Sequence, residues 1–162
     1  MIEKTSSNYQ IDNIDKQILS LLMQNARMPF LEIARICGIS GAAIHQRVKK
    51  LEDAGVIEGS RFIVNPKALG YGVCAYIGLL LTSSNKYLDV VKAFEDIPEI
   101  VESNFVTGDY SLIIKVFCRD NEHLMHVLVD HMQHIEGIAS TRTFISLAQP
   151  ISREFDIPEV KK

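Results

Sequence analysis

Apolar residues in the first third of the chain recur every three or four positions. Ile14, Ile18, Leu21 and Leu22 predict a helix from Asp12 to about Asn25, with Asp12 as cap and Asp15 at its positive end. Pro29 suits the opening turn of a second, short helix whose apolar positions are Leu31, Ile33, Ala34 and Ile36, and Gly38 supplies a left-handed stop. Ser40 caps a third helix running to about Ala54, where Ile44, Val48 and Leu51 are spaced by four and three and Gly55 ends the run. The joint Cys37-Gly38-Ile39-Ser40 is the tight turn of a helix-turn-helix unit, with the first helix closing the core beneath it. Val56, Ile57 and Arg61 to Val64 then predict an extended wing or linker strand, bent at Gly59 and ended by Asn65-Pro66.

From Tyr71 the period changes. Val73 to Leu81 is an apolar, β-rich run, and Leu88, Val91, Phe94 and Ile97 then mark a helix from about Tyr87 to Asp96 that Pro98 bars from continuing. Ile100 to Thr107 and Leu112 to Cys118 read as strands flanking a Gly108-Asp109-Tyr110 hairpin. A helix from about Asn121 to Ile135 stops at Gly137, and Ile138 to Leu147 closes the set. The order βαββαβ predicts a ferredoxin-like domain with both helices on one face of its sheet. If the other face carries Tyr76, Gly78, Leu80, Phe105, Ile114 and Val116, it is too apolar for a lone monomer, and dimerisation is expected.

Composition narrows the classes. With 162 residues and 47% hydrophobic content the chain is expected to be globular, and it contains neither a long apolar run nor a signal-like start. It is therefore expected to act in the cytoplasm, away from membranes. Cys37, Cys74 and Cys118 are odd in number and set in apolar stretches, which suits reduced core thiols. The net charge of −3 argues against a polyanion as partner until it is resolved along the chain. Residues 1 to 66 carry eight Lys/Arg against seven Asp/Glu, the remainder nine against thirteen, and Arg47, Lys49 and Lys50 fall together without an acid until Glu52.

In a helix-turn-helix the start of the third helix faces base edges and basic residues further along meet phosphates. Gly41, Ala42, His45, Gln46 and Lys49 lie away from the apolar stripe and are the groove-facing candidates for double-stranded DNA. Gln46 can pair with adenine and His45 can donate to guanine. Arg47, Lys50 and Arg61 are expected at phosphates.

A second polar cluster, His123, His126, Asp130, His131 and His134, has partly metal-like spacing. Helical geometry places His123, Asp130 and His134 opposite Leu124, Leu128, Met132 and Ile135, so a solvated helix face is expected, with no metal and no cofactor. No nucleophile elbow, phosphate loop or paired-carboxylate pattern stands out, and no enzyme activity is expected.

Taken in order, Ile11-Asp12, Asp15, Ile18-Leu19, Arg27, Glu32-Ile33-Ala34, Gly38-Ile39-Ser40, Arg47 to Glu52, Gly55-Val56-Ile57, Asn65-Pro66, Pro98-Glu99-Ile100, Val106 to Tyr110, Gly137-Ile138 and Thr141-Arg142-Thr143 closely resemble the Lrp/AsnC family of feast/famine transcription regulators. The resemblance spans Ile11 to Leu147. It implies an α+β chain with an N-terminal three-helix winged helix-turn-helix domain, a strand linker and a C-terminal ferredoxin-like βαββαβ domain. It also implies a homodimer assembling to an octamer, with an amino-acid effector bound between dimers near Thr107, Gly108, Asp109, Tyr110 and Ser111. Thr141 and Thr143, two apart on the last strand, are expected to line the same pocket.

The chain departs from the family pattern at Pro29, where Ser or Thr is common, and at Ser111, where Asp is common and a carboxylate is thus replaced by a hydroxyl. The expected division is an extension over 1–10, the helix-turn-helix over 11–58, the linker over 59–70, the ferredoxin-like domain over 71–148 and a tail over 149–162. An effector-independent architectural DNA-binding protein is the alternative.

Overall fold

A computed structural model describes residues 9–157 and divides into two compact units. Of these residues, one unit holds 9–63 together with 152–157, and the other runs from Val64 to Ile151.

In the first unit α1 (Asn13–Gln24) begins in a reciprocal capping box. The Asp12 carboxylate accepts from the Asp15 N–H at 2.8 Å, and the Asp15 carboxylate accepts from the Asp12 N–H at 3.1 Å. α2 (Phe30–Cys37) follows Pro29, which stands just outside the helix with an extended ψ of 135°, not within its first turn. Gly38, at φ 69°, ends α2, and the Ser40 hydroxyl caps α3 (Gly41–Asp53) by accepting from the Ala43 N–H at 3.2 Å. Ile18, Ile33, Ala34, Ile44 and Val48 form the core. Leu31 and Ile36 remain exposed, against expectation. At about 100° per residue Leu31 falls on the far side of α2 from Ile33, and a two-turn helix buries only one face.

Residues 59–70, expected as a linker strand, join no ladder. The segment from Ile57 to Asn65 has no strand beside it to share its hydrogen bonds, and Phe62, Ile63 and Val64 are exposed. A 3₁₀ turn, Pro66–Leu69, follows.

The second unit is built on β1 (Val73–Leu81), α4 (Tyr87–Phe94), β2 (Ile100–Phe105), β3 (Leu112–Cys118), α5 (Asn121–His126) and β4 (Ile138–Ile145). The sheet order is β2-β3-β1-β4, antiparallel throughout, as in a ferredoxin-like fold. Ala75, Ile77 and Leu79 of β1 and Leu112, Ile114, Val116 and Cys118 of β3 face the helices and pack with Val90, Phe94, Leu124, Val127 and Met132.

The pairing Ile77↔Ile114 and Ala75↔Val116 corrects the expected open face, since strand alternation puts Ile114 and Val116 in the core. Phe105 also lies on the covered side, its ring 4.7 Å from that of Tyr87. The open face instead carries Tyr76, Leu80, Lys115, Phe117 and Phe144, with the Lys115 ammonium 5.8 Å from the Tyr76 ring and 5.3 Å from the Phe117 ring.

On α4, Val90 and Phe94 are buried, whereas Leu88 is 69% exposed. The last helix is not continuous to Ile135. After α5 the chain makes a π turn, Val127–His131, and then a 3₁₀ turn, Met132–His134. The wide turn brings Val127 and Met132, five apart, onto one buried face, where α-helical spacing would separate them by more than a quarter turn. A single-residue deletion of the exposed Val129 should restore α-helical spacing and keep both side chains inside. Its thermal midpoint is expected to stay closer to wild type than that of a deletion of Lys92 in α4, as circular dichroism melts would measure.

Candidate nucleic-acid interface and effector region

α3 presents two faces. Ile44, Val48 and Leu51 are buried, while Ala42, His45, Gln46, Lys49 and Lys50 are exposed and Gly41 half-exposed. The helix therefore shows solvent a strip of small, polar and basic side chains about three turns long, the size a major groove admits. Arg61 is exposed as well, next to Phe62, whose ring lies 4.4 Å below the Arg27 guanidinium. The His45 ring meets the Phe30 ring edge-on at 4.6 Å between centroids.

Arg47 does not belong to that strip. Its Nη1 donates to Asp12 at 2.7 Å and to Asp15 at 2.8 Å, tying the middle of α3 to the start of α1. Asp15 is fully buried and also accepts from the Tyr9 hydroxyl at 2.9 Å. Arg47, expected at a phosphate, is in this structure the partner that a buried carboxylate requires. Loss of solvation alone would raise the Asp12 pKa, but hydrogen bonds from the Asp15 N–H and from Arg47 outweigh it and hold the carboxyl below its ordinary range.

In the second unit the hairpin residues Thr107, Gly108 and Asp109 are exposed. Tyr110 folds back over the open face of the sheet and fills the space above Gly78, where a Cβ would come within 2.8 Å of the ring. The Ser111 hydroxyl accepts from the Leu81 N–H at 3.3 Å and the Ser111 N–H donates to the Leu79 carbonyl at 2.8 Å, so the hairpin is pinned to β1.

Thr141 and Thr143 do not share this surface. They pair with Leu79 and Ile77 and so lie on the helix side, lining an open groove with Asn121, Met125, Val129 and Gln133. Within one chain the two expected halves of an effector pocket are on opposite faces of the sheet.

His123 is not on a solvated face. Its Nδ1 accepts from the Arg119 backbone N–H at 3.2 Å and from Arg119 Nε at 3.3 Å, which leaves Nε2 to donate to Glu99 at 3.0 Å. His126 pairs with Asp130 at 2.9 Å on the surface. Among the described residues no three His, Cys, Asp or Glu side chains are grouped to hold a metal ion. Burial, helped by the charges of Glu99 and Asp120, pushes the Cys118 thiol up to about 11, and burial raises Cys37 and Cys74 as well.

Residues 11–58 match the winged helix-turn-helix DNA-binding family, and residues 74–154 match the Lrp/AsnC ligand binding domain. The regulatory protein AsnC of Escherichia coli K12 is 45% identical over 146 residues, covering 90% of this chain and 96% of that protein. The HTH-type transcriptional regulator FL11 of Pyrococcus furiosus is 39% identical over 137 residues, 85% of this chain and 89% of its own length. Among solved structures, E. coli AsnC superposes with a TM-score of 0.86 at 44% identity, covering 91% of this chain and 99% of that one. A transcriptional regulator from Neisseria meningitidis in complex with L-Met superposes at 0.84, covering 92% and 97%; at 22% identity it is a likeness of fold alone.

Two outcomes are expected of the charge network. Arg47→Ala strands the buried Asp15 carboxylate and should cost about 3 kcal/mol in urea unfolding. Unchanged stability together with weaker DNA binding would return Arg47 to the phosphates. Because Asp12 is held below its unfolded value, its ionised form favours the fold above the ordinary carboxylate range, and that advantage disappears as pH falls through the folded value. The stability gap between wild type and Asp12→Asn, read from thermal melts, should therefore be present at neutral pH and close below about pH 4.

Proposed function

Because the chain belongs to the Lrp/AsnC family of transcription regulators, we propose that it is a sequence-specific, DNA-binding regulator in the cytoplasm whose α3 enters the major groove and whose second unit senses an amino acid or related metabolite. The observation that carries this reading is the division of α3 into a buried stripe and an exposed strip of Ala42, His45, Gln46, Lys49 and Lys50, within the stretch that matches the winged helix-turn-helix family. Gly41, Ala42, His45, Gln46 and Lys49 face base edges, and Lys50 and Arg61 meet phosphates. With Arg47 engaged elsewhere, each reading head brings few cations. Useful affinity then depends on several heads reaching one stretch of DNA, and this suits a homodimer that assembles to an octamer.

The open sheet face, bare of helices and rich in Tyr76, Leu80, Phe117 and Phe144, supports pairing of two copies. Effector contact falls to Thr107, Gly108, Asp109, Tyr110 and Ser111 on one side of the sheet and to Thr141 and Thr143 on the other. A single small molecule touching both sets needs a second copy to supply one of them. Candidate effectors include L-Met, the ligand of a structural neighbour. The engaged Ser111 hydroxyl favours a second reading, an architectural DNA-binding protein without an effector.

Selection of bound fragments from random DNA, with and without a mixture of the twenty amino acids, tests both readings. A preferred palindromic site whose occupancy or half-site spacing changes with the mixture is the expected result. An unchanged site and flat calorimetric titrations favour the architectural reading, and no preferred site at all overturns the regulator. Lys50→Ala with Arg61→Ala should weaken binding evenly across sequences and make the salt slope shallower by about two, measured by gel shift over a salt series.

A further inference from the structure

We propose that Phe30 is a positioning residue for base recognition. It holds the His45 imidazole in one orientation, so that discrimination at one base pair of each half-site depends on the Phe30–His45 pair. The inference rests on the groove placement of α3 argued above and adds a residue on a different helix, α2.

An exposed histidine on a helix has several side-chain rotamers open to it, and each sends its donor nitrogen in a different direction. A hydrogen bond that distinguishes one base from another needs that direction settled before the bases arrive. Phe30 can settle it. The residue opens α2 and packs, partly buried, against the core of Ile18, Ile33, Ala34, Ile44 and Val48, so its ring is held from behind.

The exposed edge of that contact is the His45 ring, at 4.6 Å between centroids and an interplanar angle of 71°, an attractive edge-to-face arrangement. No hydrogen bond, ion pair or ring contact restrains Gln46 or Lys49 among the described residues. Of the polar side chains on the strip, His45 is the one whose aim is set by the protein.

The test uses full-length protein and measures affinity for the selected site, for each single-base change in it, and for unrelated DNA. Phe30→Leu and Phe30→Met remove the ring and keep apolar bulk, and Phe30→Tyr keeps the ring; thermal melts confirm that each folds. Both ring-free variants should lower discrimination at one base pair per half-site by roughly three- to tenfold and leave affinity for unrelated DNA within about twofold. Phe30→Tyr should retain it. In a His45→Ala background Phe30→Leu should change nothing further.

An even loss on every sequence, or the same loss of discrimination with His45 absent, overturns the inference and makes Phe30 a packing residue only. A wild-type preference that survives both His45→Ala and Phe30→Leu overturns it while leaving the regulator intact. A wild-type protein with no preference overturns both.

Discussion

A carboxylate with no access to water sits at the start of α1, and the geometry of the first unit follows from it. Asp15 is shielded completely, so its charge must be met inside the protein; the Arg47 guanidinium and the Tyr9 hydroxyl meet it. Arg47 directly follows His45 and Gln46 and precedes Val48 and Lys49 on α3, so fixing its guanidinium against α1 fixes the roll of α3 about its own axis. The roll decides which residues face out. A rotation by one position would bring the apolar Ile44 and Val48 to the surface and withdraw the basic residues.

The same interaction decides which charges α3 offers to a partner. Of the three clustered cations Arg47, Lys49 and Lys50, the first is held against α1 and only the two lysines stand exposed. What remains at the surface is a polar strip in which hydrogen-bonding direction counts for more than charge. The second unit divides its labour differently: its apolar open face suits a copy of itself, while the polar hairpin stands at one end of the sheet.

Features set by near neighbours in the chain were legible in the sequence. The third helix from Ser40 to Gly55, the cap at Asp12, and the strands Val73–Leu81 and Leu112–Cys118 all carry their signals within a few residues. Partners far along the chain were not. Nothing local marks Arg47 as the companion of residues 32 and 35 positions earlier, or Glu99 as the acceptor for His123. In β3 both faces carry apolar side chains, Ile113 and Phe117 on one and Ile114 and Val116 on the other, so alternation alone could not say which was covered. The π turn hid behind Leu124 and Leu128, whose spacing fits an ordinary helix. Nothing in the Gly108-Asp109-Tyr110 turn itself points to an effector; only the family resemblance implies one there.

Gly78 and Tyr110 occupy a single volume, the glycine by leaving it vacant and the ring by filling it. A substitution at either position is therefore felt at the other. An aromatic ring at 110 forbids a side chain at 78, and a side chain gained at 78 expels the ring before any other change can compensate. The hairpin's resting place on the sheet is therefore held by shape as well as by the hydrogen bonds at Ser111.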